Sequence, residues 1–319
     1  MRKLTSFIAS MALVAFATVA HAWEPKGPVT IVVASPAGSL HDRAIKSILP
    51  ELEKQTGLEF VMDYKPGAAS IKGVKSFLAM PPKGENLTLT ASLSLVLSDI
   101  TNPGVADWNW EKDFVSVGGV AQSTTSIVST KMKTMTELVA AIKSDQKVVV
   151  ATTYPNSEAL VALLTAKVGG KMENIKFARY KDPAEALTDV VGGNVDIFVS
   201  GIAPSVPLYK AGKVNYLAVS SVKRLDFLPN TPTVAEVVPG LVMNVDLGMS
   251  ISSKAPAGAA EYWEKQIAKA VKTVSAKAAR DASFLSLDDE FISAKGQTEY
   301  YRQNRATWEG TYTQMFTKK

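Results

Sequence analysis

The chain has 319 residues, a formal net charge of +5 and no cysteine, and 46% of its residues are hydrophobic. The absence of cysteine excludes thiol catalysis, disulfide-stapled folds and thiolate metal sites. The small, scattered positive charge does not form the basic surface that nucleic-acid binding requires, although it mildly favours anionic ligands.

The first 22 residues have the features of a secretory signal peptide. Arg2 and Lys3 give a positive start, an apolar segment covers residues 7–19, and Ala20-His21-Ala22 forms a small-x-small cleavage site. Cleavage after Ala22 would remove two cations and no acid, so the net charge falls from +5 to +3. No later segment reaches about 18 uninterrupted apolar residues, so we expect a soluble protein in a bacterial periplasm.

His41 is the single histidine that remains after this cleavage. A mature chain with one histidine and no cysteine lacks the residues that most Ser-His-Asp triads and most metal sites require. Two carboxylates could still act together as general acid and base, but no two acids stand in a sequence context that marks them as such a pair. The sequence therefore predicts a protein that is not an enzyme, without catalytic residues, metal or cofactor.

The stretch from Val29 to Arg43 carries the main functional signal. Its apolar residues 31–34 predict a strand buried on both faces, and residues 35–38 predict a tight loop. Ser39 is placed to cap the next helix, and Asp42 completes a capping-box-like pair. Backbone N–H groups that point outward together at such a loop suit an anion, whereas an ordinary strand–loop–helix connection is the alternative reading.

The same strand–loop–helix unit occurs again further along the chain. Residues 58–64 and 87–91 predict strands, with loops at 65–70 and 92–94, and Pro50 predicts a kink or early end of the first helix. Repeated units of this kind are typical of a parallel α/β sheet, in which ligands bind at the carboxyl ends of the strands.

The middle of the chain predicts a second domain of the same kind. Residues 147–151 predict a strand before a hydroxyl-rich loop at 152–157, and residues 195–199 predict a strand that ends in Ser200-Gly201. Residues 182–193 carry complete helix start and stop signals. Residues 102–114, which are rich in proline, glycine and tryptophan, predict a packed surface loop. Residues 115–129 predict an extended strand that crosses between the domains.

The end of the chain predicts two long amphipathic helices, over residues 257–279 and 298–315. We expect their aromatic residues Trp263, Tyr301 and Trp308 to pack in the core.

These elements predict two α/β domains, each a mostly parallel sheet flanked by helices, with a ligand cleft between them. Domain one would take residues 23–120 and 226–319, and domain two residues 121–225.

The order and spacing of several segments resemble one family. The most specific segment is Tyr180–Gly193, YKDPAEALTDVVGG, which runs on through residues 194–196. Together the segments resemble the periplasmic solute receptors of tripartite tricarboxylate transporters, the Bug-type receptors, over nearly the whole mature chain. The other matching segments are residues 31–33 with Gly38 and Asp42, 66–68, 111–114, 210–213, 217–219 and 228–236.

The resemblance implies a Venus-flytrap periplasmic-binding-protein fold. It implies a monomeric transport receptor that closes on a di- or tricarboxylate or an aromatic carboxylate and delivers it to a two-subunit membrane permease. In this family, backbone groups and ordered water at the first two loops bind one carboxylate of the ligand, and the second domain contacts the rest of the ligand. The ligand-binding candidates are Ala37, Gly38, Ser39, Asp42, Ala68, Ala69, Ser70, Ser92, Thr152, Thr153, Asn156, Ser157, Ser200 and Gly201.

Some positions depart from the family pattern. The family commonly has glycine pairs where this chain has Gly38-Ser39 and Ala69-Ser70, and a Cβ there narrows the approach of a ligand, although a serine hydroxyl can donate instead. Glu158 stands near a position that is often histidine, and we expect it in the first turn of a helix, where the dipole favours an acid. We expect His41 to be a solvated first-turn residue. Whether Glu158, His41 or Lys65 faces the ligand stays open.

Two other functions remain alternatives at this point. A receptor of this fold can signal to a membrane sensor kinase instead of delivering its ligand. A periplasmic hydrolase is the least favoured reading. The identity of the carboxylate and the affinity for it are not encoded in any pattern that we find.

Overall fold

The structure, a computed structural model, describes residues 23–102, 104–153 and 155–317. The signal peptide predicted for residues 1–22 lies outside these ranges. The described residues form a mixed α/β fold in which helices pack against nine strands. The strands are β1 (Val29–Val33), β2 (Phe60–Tyr64), β3 (Asn86–Ala91), β4 (Phe114–Ser129), β5 (Val148–Thr152), β6 (Ile175–Arg179), β7 (Ile197–Gly201), β8 (Asn215–Val219) and β9 (Asn244–Ser252).

Helices connect the strands and cover them. The long connections between parallel strands require such crossovers. The helices are α1 (Leu40–Lys46), α2 (Leu49–Thr56), α3 (Ile71–Leu78), α4 (Ser92–Val96), α5 (Ser98–Thr101), α6 (Trp110–Asp113), α7 (Met135–Lys143), α8 (Pro155–Lys167), α9 (Pro183–Val191), α10 (Val206–Lys210), α11 (Val234–Val237), α12 (Ala259–Val271), α13 (Val274–Ala282), α14 (Asp289–Ile292) and α15 (Ala294–Thr317).

A first group of strands contains β1, β2, β3 and β9. β1 pairs in parallel with β2 and β3, and β9 joins β3 in the antiparallel direction. Ile31 and Val33 of β1 pack in one apolar cluster with Ile45 of α1, whereas Val32 packs in another with Val74 of α3. Both faces of β1 are therefore covered, which confirms the prediction of a doubly buried strand.

A second group of strands contains β5, β6, β7 and β8. β5 lies between β6 and β7, and all three are parallel. β4 belongs to both groups, because its residues 114–124 pair with β9 and its residues 125–129 pair with β7 and β8. The predicted crossing strand is confirmed. The sequence predicts a separate sheet in each domain, but the sixteen-residue β4 joins the strands into one path, β2-β1-β3-β9-β4-β7-β5-β6.

Several helix ends follow the local sequence as predicted. Asp182 caps α9 by accepting the backbone N–H two residues further on at 2.8 Å. Ser39 caps α1 by accepting the N–H of Asp42 at 3.3 Å. Pro50 lies in the first turn of α2, and the helical pattern breaks just before it.

Two predicted elements are wrong in detail. The single helix expected over residues 257–279 is divided at Thr273, whose hydroxyl accepts the N–H of Ala276 at 3.2 Å and so starts α13. The loop expected over residues 102–114 contains the short helix α6, which begins because Asn109 accepts two backbone N–H groups.

The segment between β8 and β9 packs with the second group of strands. Thr233 forms a bridge with Val219 of β8, and the N–H of Met243 donates to the carbonyl of Ser220 at 2.9 Å. The chain rejoins the first group only at β9, although the sequence assigns residues from 226 onward to domain one. The predicted division into 23–120 with 226–319 and 121–225 stays a prediction.

The large aromatic side chains near the end of the chain lie in the core, as expected. Trp263, Tyr301 and Trp308 are at most 1% exposed. The indole N–H of Trp263 donates to the carbonyl of Gly84 at 2.7 Å, so its polar atom is satisfied. Within the described ranges, no helix is both long enough and apolar enough to cross a membrane.

Candidate functional site

The carboxyl ends of the two sets of parallel strands point toward each other. Ala91 at the end of β3 and Ala121 of β4 both pair with Leu247 of β9. Gly201 at the end of β7 pairs with Thr125 of β4. β3 runs parallel to β4, and β7 runs antiparallel to it, so the two strand ends face each other across residues 122–124. Measured along β4, the end of β3 and the end of β7 are about 13 Å apart. We call the carboxyl ends of β1, β2 and β3 the first edge, and those of β5, β6 and β7 the second edge.

The loop after β1 places Ala37, Gly38 and Ser39 at the first edge. Gly38 has a φ of +78°, which favours glycine. Its N–H donates to Asp42 Oδ2 at 2.7 Å, and its carbonyl accepts from Arg43 Nη1 at 3.0 Å. A Cβ built on Gly38 would meet no atom within 4 Å. The space over this glycine is therefore open to a ligand.

Asp42 holds this loop in place. Its buried carboxylate accepts hydrogen bonds from the N–H of Gly38, from the Tyr64 hydroxyl at 2.6 Å and from Lys46 Nζ at 2.9 Å. Burial alone would raise the pKa of the Asp42 carboxyl, but these three donors outweigh it and hold the pKa below its usual range. Asp42 thus positions the Gly38 loop.

The loop after β2 has an unusual backbone. Gly67, Ala68, Ala69 and Ser70 have φ values of +126°, +48°, +50° and +78° in succession. The N–H groups of the last three find no acceptor among the described residues, whereas the N–H of Ile71 donates to the carbonyl of Ala68 at 3.0 Å. A run of unpaired N–H groups at an exposed turn is a place where an anion binds.

Ala69 and Ser70 keep the left-handed backbone that glycine favours, although each carries a Cβ. Each non-glycine residue in the left-handed region costs roughly 1–2 kcal/mol. Close packing holds the strained turn, because a Cβ on Gly73 of α3 would lie 2.6 Å from Cα of Ala34, just after β1. Strain that the surroundings maintain in this way is typical of functional sites.

Ser92 lies beneath the first edge and is fully buried. Its hydroxyl donates to Asp246 Oδ2 at 3.3 Å and accepts from Asn304 Nδ2 at 2.9 Å. Asn304 also donates to Asp246 at 2.6 Å, and Gln122 Nε2 donates to the other oxygen of Asp246 at 2.7 Å. The hydroxyl of Ser92 therefore connects the end of β3 to the strands that join the two groups.

Sequence reasoning missed Asp246. Burial raises the pKa of its carboxyl to about 6, even though three hydrogen-bond donors lower it. A signal was present, because Asp246 is the only acid in the strand-like run of residues 243–252. Its partners Gln122 and Asn304 are distant in sequence and carried no signal of their own.

The second edge presents side-chain hydroxyls. The hydroxyls of Thr153 and Ser200 lie 2.9 Å apart, so the structure brings together two predicted residues from different loops. Gly201 ends β7, and Ser123 Oγ of β4 lies 4.0 Å from the position of a Cβ on this glycine. Thr152 is buried, and its hydroxyl donates to Glu158 Oε1 at 3.2 Å.

Glu158 lies in the first turn of α8, as expected, and is paired with a cation. Arg179 Nε donates to Oε1 at 2.6 Å, and Arg179 Nη2 donates to Oε2 at 2.8 Å. The Glu158 side chain is 7% exposed and that of Arg179 is 73% exposed. This two-point ion pair, which the sequence did not reveal, neutralises the acid at the second edge.

The other two predicted residues of this edge belong to the first turn of α8. Ser157 is buried and Asn156 is partly buried. No hydrogen bond of either side chain occurs among the described residues, so both amide and hydroxyl groups are available there.

The expectation of a solvated His41 is wrong. His41 is only 8% exposed, because α1 packs against β3 and β4. Burial lowers its pKa to about 4, so the imidazole is neutral at neutral pH. Of the other cations near the first edge, Lys65 pairs with Asp63 at 3.1 Å. In the part of the chain that the structure describes, no group of three histidine or acidic side chains is placed to hold a metal ion.

Comparisons with known proteins agree with this architecture. The chain is 28% identical over 299 residues to a UPF0065 protein of Bordetella bronchiseptica, covering 91% of this chain and 84% of that one. It superposes on a TctC solute-binding protein from Polaromonas with a TM-score of 0.78 and 20% identity, over 91% and 99% of the two chains. It also superposes on MatC from Rhodopseudomonas palustris with bound malate, with a TM-score of 0.70 and 19% identity, over 91% and 100%. These structures confirm the predicted two-domain periplasmic-binding-protein fold.

The family follows from the sequence match. Residues 45–306 match the model of the tripartite tricarboxylate transporter family receptor, which confirms the resemblance found in the sequence. This match covers most of the chain and includes both edges except the loop before residue 45. The chain therefore belongs to the tripartite tricarboxylate transporter receptor family, whose members are periplasmic solute-binding receptors and not enzymes.

Proposed function

We propose that this receptor captures a small carboxylate, a di- or tricarboxylate or an aromatic carboxylate, between the first and second edges. The observation that carries the proposal is the run of unpaired N–H groups at Ala68, Ala69 and Ser70 beside the open Gly38 loop. Because β1 and β2 are neighbouring parallel strands, the two loops lie at one edge. Backbone donors of this kind suit one carboxylate group.

The second edge supplies the groups that read the rest of the ligand. Thr153 and Ser200 can each donate or accept a hydrogen bond, and Asn156 can do both through its amide. The neutralised Glu158 removes a charge that would otherwise repel an anion. MatC, which shares the fold, holds malate, and this supports a dicarboxylate as the first ligand to try.

We also propose how the receptor acts in the cell. The chain is exported, loses its signal peptide after Ala22 and works in the periplasm as a monomer. Domain closure buries the carboxylate, and the closed form delivers it to a two-subunit membrane permease. Membership of this receptor family supports delivery over signalling to a sensor kinase.

A thermal-shift screen of the mature protein against small carboxylates tests the ligand class. A ligand that binds only the folded state stabilises it by RT ln(1 + [L]/Kd), about 2.7 kcal/mol at one hundred times Kd. Carboxylates should raise the midpoint, and the matching primary amides should not. If no carboxylate does so, the proposed ligand class is wrong.

Gly38→Val tests the location, because a branched side chain there would occupy the open space over the loop. Gly57→Val is the matched control, since Gly57 also has a positive φ of +68° and nothing within 4 Å of a built Cβ, but ends α2 away from the edges. We expect both variants to lose similar stability and only Gly38→Val to lose carboxylate binding. Equal binding by the two variants would place the ligand elsewhere.

A further inference from the structure

A cavity of about 330 Å³ lies beside the strands that connect the two groups. None of the predicted ligand-binding residues lines it. Its walls come from both parts of the molecule. They are residues 221–227 after β8, residues 271, 272, 277, 280, 281, 285–289 and 292 around α13 and α14, and Gln122 and Asn244 of the strands that connect the two groups.

One wall of this cavity contains a buried cation without a counter-ion. Arg280 is 6% exposed, and its Nη2 donates to the carbonyl of Val271 at 2.8 Å. Its Nη1 is buried and has no hydrogen-bond partner among the described residues. Arginine carries five donors and stays charged, so an unpaired buried guanidinium is costly unless an anion reaches it.

The acids that line the cavity are engaged elsewhere. Asp281 pairs with Lys277 at 2.6 Å, and Asp226 lies 4.0 Å from the same ammonium group. Asp288 accepts the Tyr300 hydroxyl at 3.0 Å. None of these acids forms an ion pair with Arg280. Burial lowers the pKa of the Arg280 guanidinium, and the charge of the neighbouring Asp281 raises it by a smaller amount.

The remaining charges of the cavity wall favour an anion. Arg224 is occupied by Glu236 at 2.6 Å. Lys223 and Lys272 have no ion pair within the described part of the chain, and neither do the lining acids Asp288 and Asp289. Two exposed lysines and the buried Arg280 thus outnumber these two acids by one.

A contact between the two sides of the molecule closes the same region. The rings of Phe227 and Phe284 meet edge to face, with centroids 5.7 Å apart. Phe284 has a φ of +55°, which is rare for a residue with a bulky side chain. It belongs to the turn in which the N–H of Leu285 donates to the carbonyl of Arg280 at 2.9 Å. The strained turn therefore sets the position of Arg280 and the contact with Phe227 together.

We propose that this cavity is a second anion site, in which Arg280 binds a small oxyanion and Lys272 and Lys223 flank it. The planar guanidinium binds the oxygens of a phosphate, a sulfate or a carboxylate at two points. The volume exceeds the roughly 30 Å³ of one water molecule several-fold, so a hydrated inorganic oxyanion fits. Because the walls come from both groups of strands, the bound anion links them and stabilises their arrangement.

Calorimetric titration of the mature protein with phosphate, sulfate and malate, at an ionic strength fixed with sodium chloride, tests this site. Phosphate or sulfate should bind, and Arg280→Gln should weaken that binding at least tenfold. Arg302→Gln is the matched control, because Arg302 is an exposed arginine that pairs with Glu111 outside the cavity. It should bind the inorganic anion as the unaltered protein does.

Each further outcome decides the proposal. If Arg280→Gln does not fold, the exposed Lys272→Gln decides, since weaker phosphate binding supports the site and unchanged binding overturns it. An unaltered protein that binds neither phosphate nor sulfate overturns the proposal. So does phosphate binding that is lost in Gly38→Val, because this places phosphate in the carboxylate site. Malate binding that survives in Arg280→Gln shows that the two sites are separate.

Discussion

The two edges that face each other offer a ligand different kinds of group. The first edge offers main-chain N–H groups, held by the left-handed turn at residues 67–70 and by Asp42 under Gly38. The second edge offers the side chains of Thr153 and Ser200 and an acid neutralised by Arg179. A backbone donor is present whatever the side chain is, so the first edge recognises an anion in general. The second edge is where substitutions can change which anion is chosen.

The largest effect should follow from a change of backbone at the first edge. Ala69→Val places a β-branched residue at a φ of +50°, which should move the N–H groups of residues 68–70. We expect carboxylate affinity, measured by calorimetry, to fall at least a hundredfold, or about 2.7 kcal/mol.

Ala69→Gly is the control for that change. Glycine adopts the same backbone without the Cβ, so carboxylate affinity should stay within about twofold, and the free energy of unfolding should rise by about 1 kcal/mol or less. If Ala69→Val keeps its affinity, the first edge does not recognise the ligand through its backbone, and the contrast between the edges fails.

The next effect concerns Asp246, which is buried beneath the first edge. The Asp246 carboxyl has a pKa of about 6 in the folded protein and an ordinary value near 3.8 when unfolded. Between these pH values the folded state binds more protons, so this group's stabilising contribution is complete below about pH 4 and is lost as the pH rises through 6. The loss is about 2–3 kcal/mol.

Asp246→Asn should remove this pH-dependent contribution to the free energy of unfolding. Urea unfolding at a series of pH values from 4 to 7 checks this. The difference in free energy of unfolding, variant minus unaltered protein, should rise by about 2–3 kcal/mol from pH 4 to pH 7. Asp107→Asn, a change at an exposed aspartate, should leave the profile as it is. Parallel profiles for Asp246→Asn and the unaltered protein would contradict the assignment.

The smallest effect belongs to the second edge. Arg179→Gln leaves Glu158 buried without its cation, so a carboxylate ligand should bind up to about tenfold more weakly, and more so at low salt. The free energy of unfolding should fall by about 1 kcal/mol, because Arg179 is largely exposed and solvent screens its charge.

The double variant Arg179→Gln with Glu158→Gln separates the charge from the shape of this edge. Removing both charges should restore most of the ligand affinity that Arg179→Gln loses. If the double variant binds as weakly as the single one, Arg179 contacts the ligand directly, and the second edge also recognises charge.

The parts of the fold that could be read from the sequence are those fixed by neighbouring residues. Ser39 and Asp182 cap helices through groups two or three residues away, and β1 is recognisable because its apolar run is continuous. The strand ends, and with them most candidate residues, follow from such local signals.

The rest depends on contacts between distant parts of the chain. The Asp246 network joins residues 92, 122 and 304, and the partner of Glu158 is Arg179, the last residue of the next strand, β6. The burial of His41 depends on the packing of α1 against strands formed later in the chain. The turn at Ala69 is not visible because alanine does not favour a positive φ on its own.

The strand shared by both groups has a consequence for folding kinetics. β4 pairs with β9, and their partners Gln122 and Asp246 are more than a hundred residues apart in the chain. Pairings between such distant segments form slowly, because the entropy of closing a long loop is lost before the contacts between the segments can offset it. The pairing of β9 with β3 and β4 therefore cannot form until the last quarter of the polypeptide is being synthesised. Until then nothing links β3 to β4 within one sheet, so a chain still being synthesised has no continuous sheet across the two groups of strands.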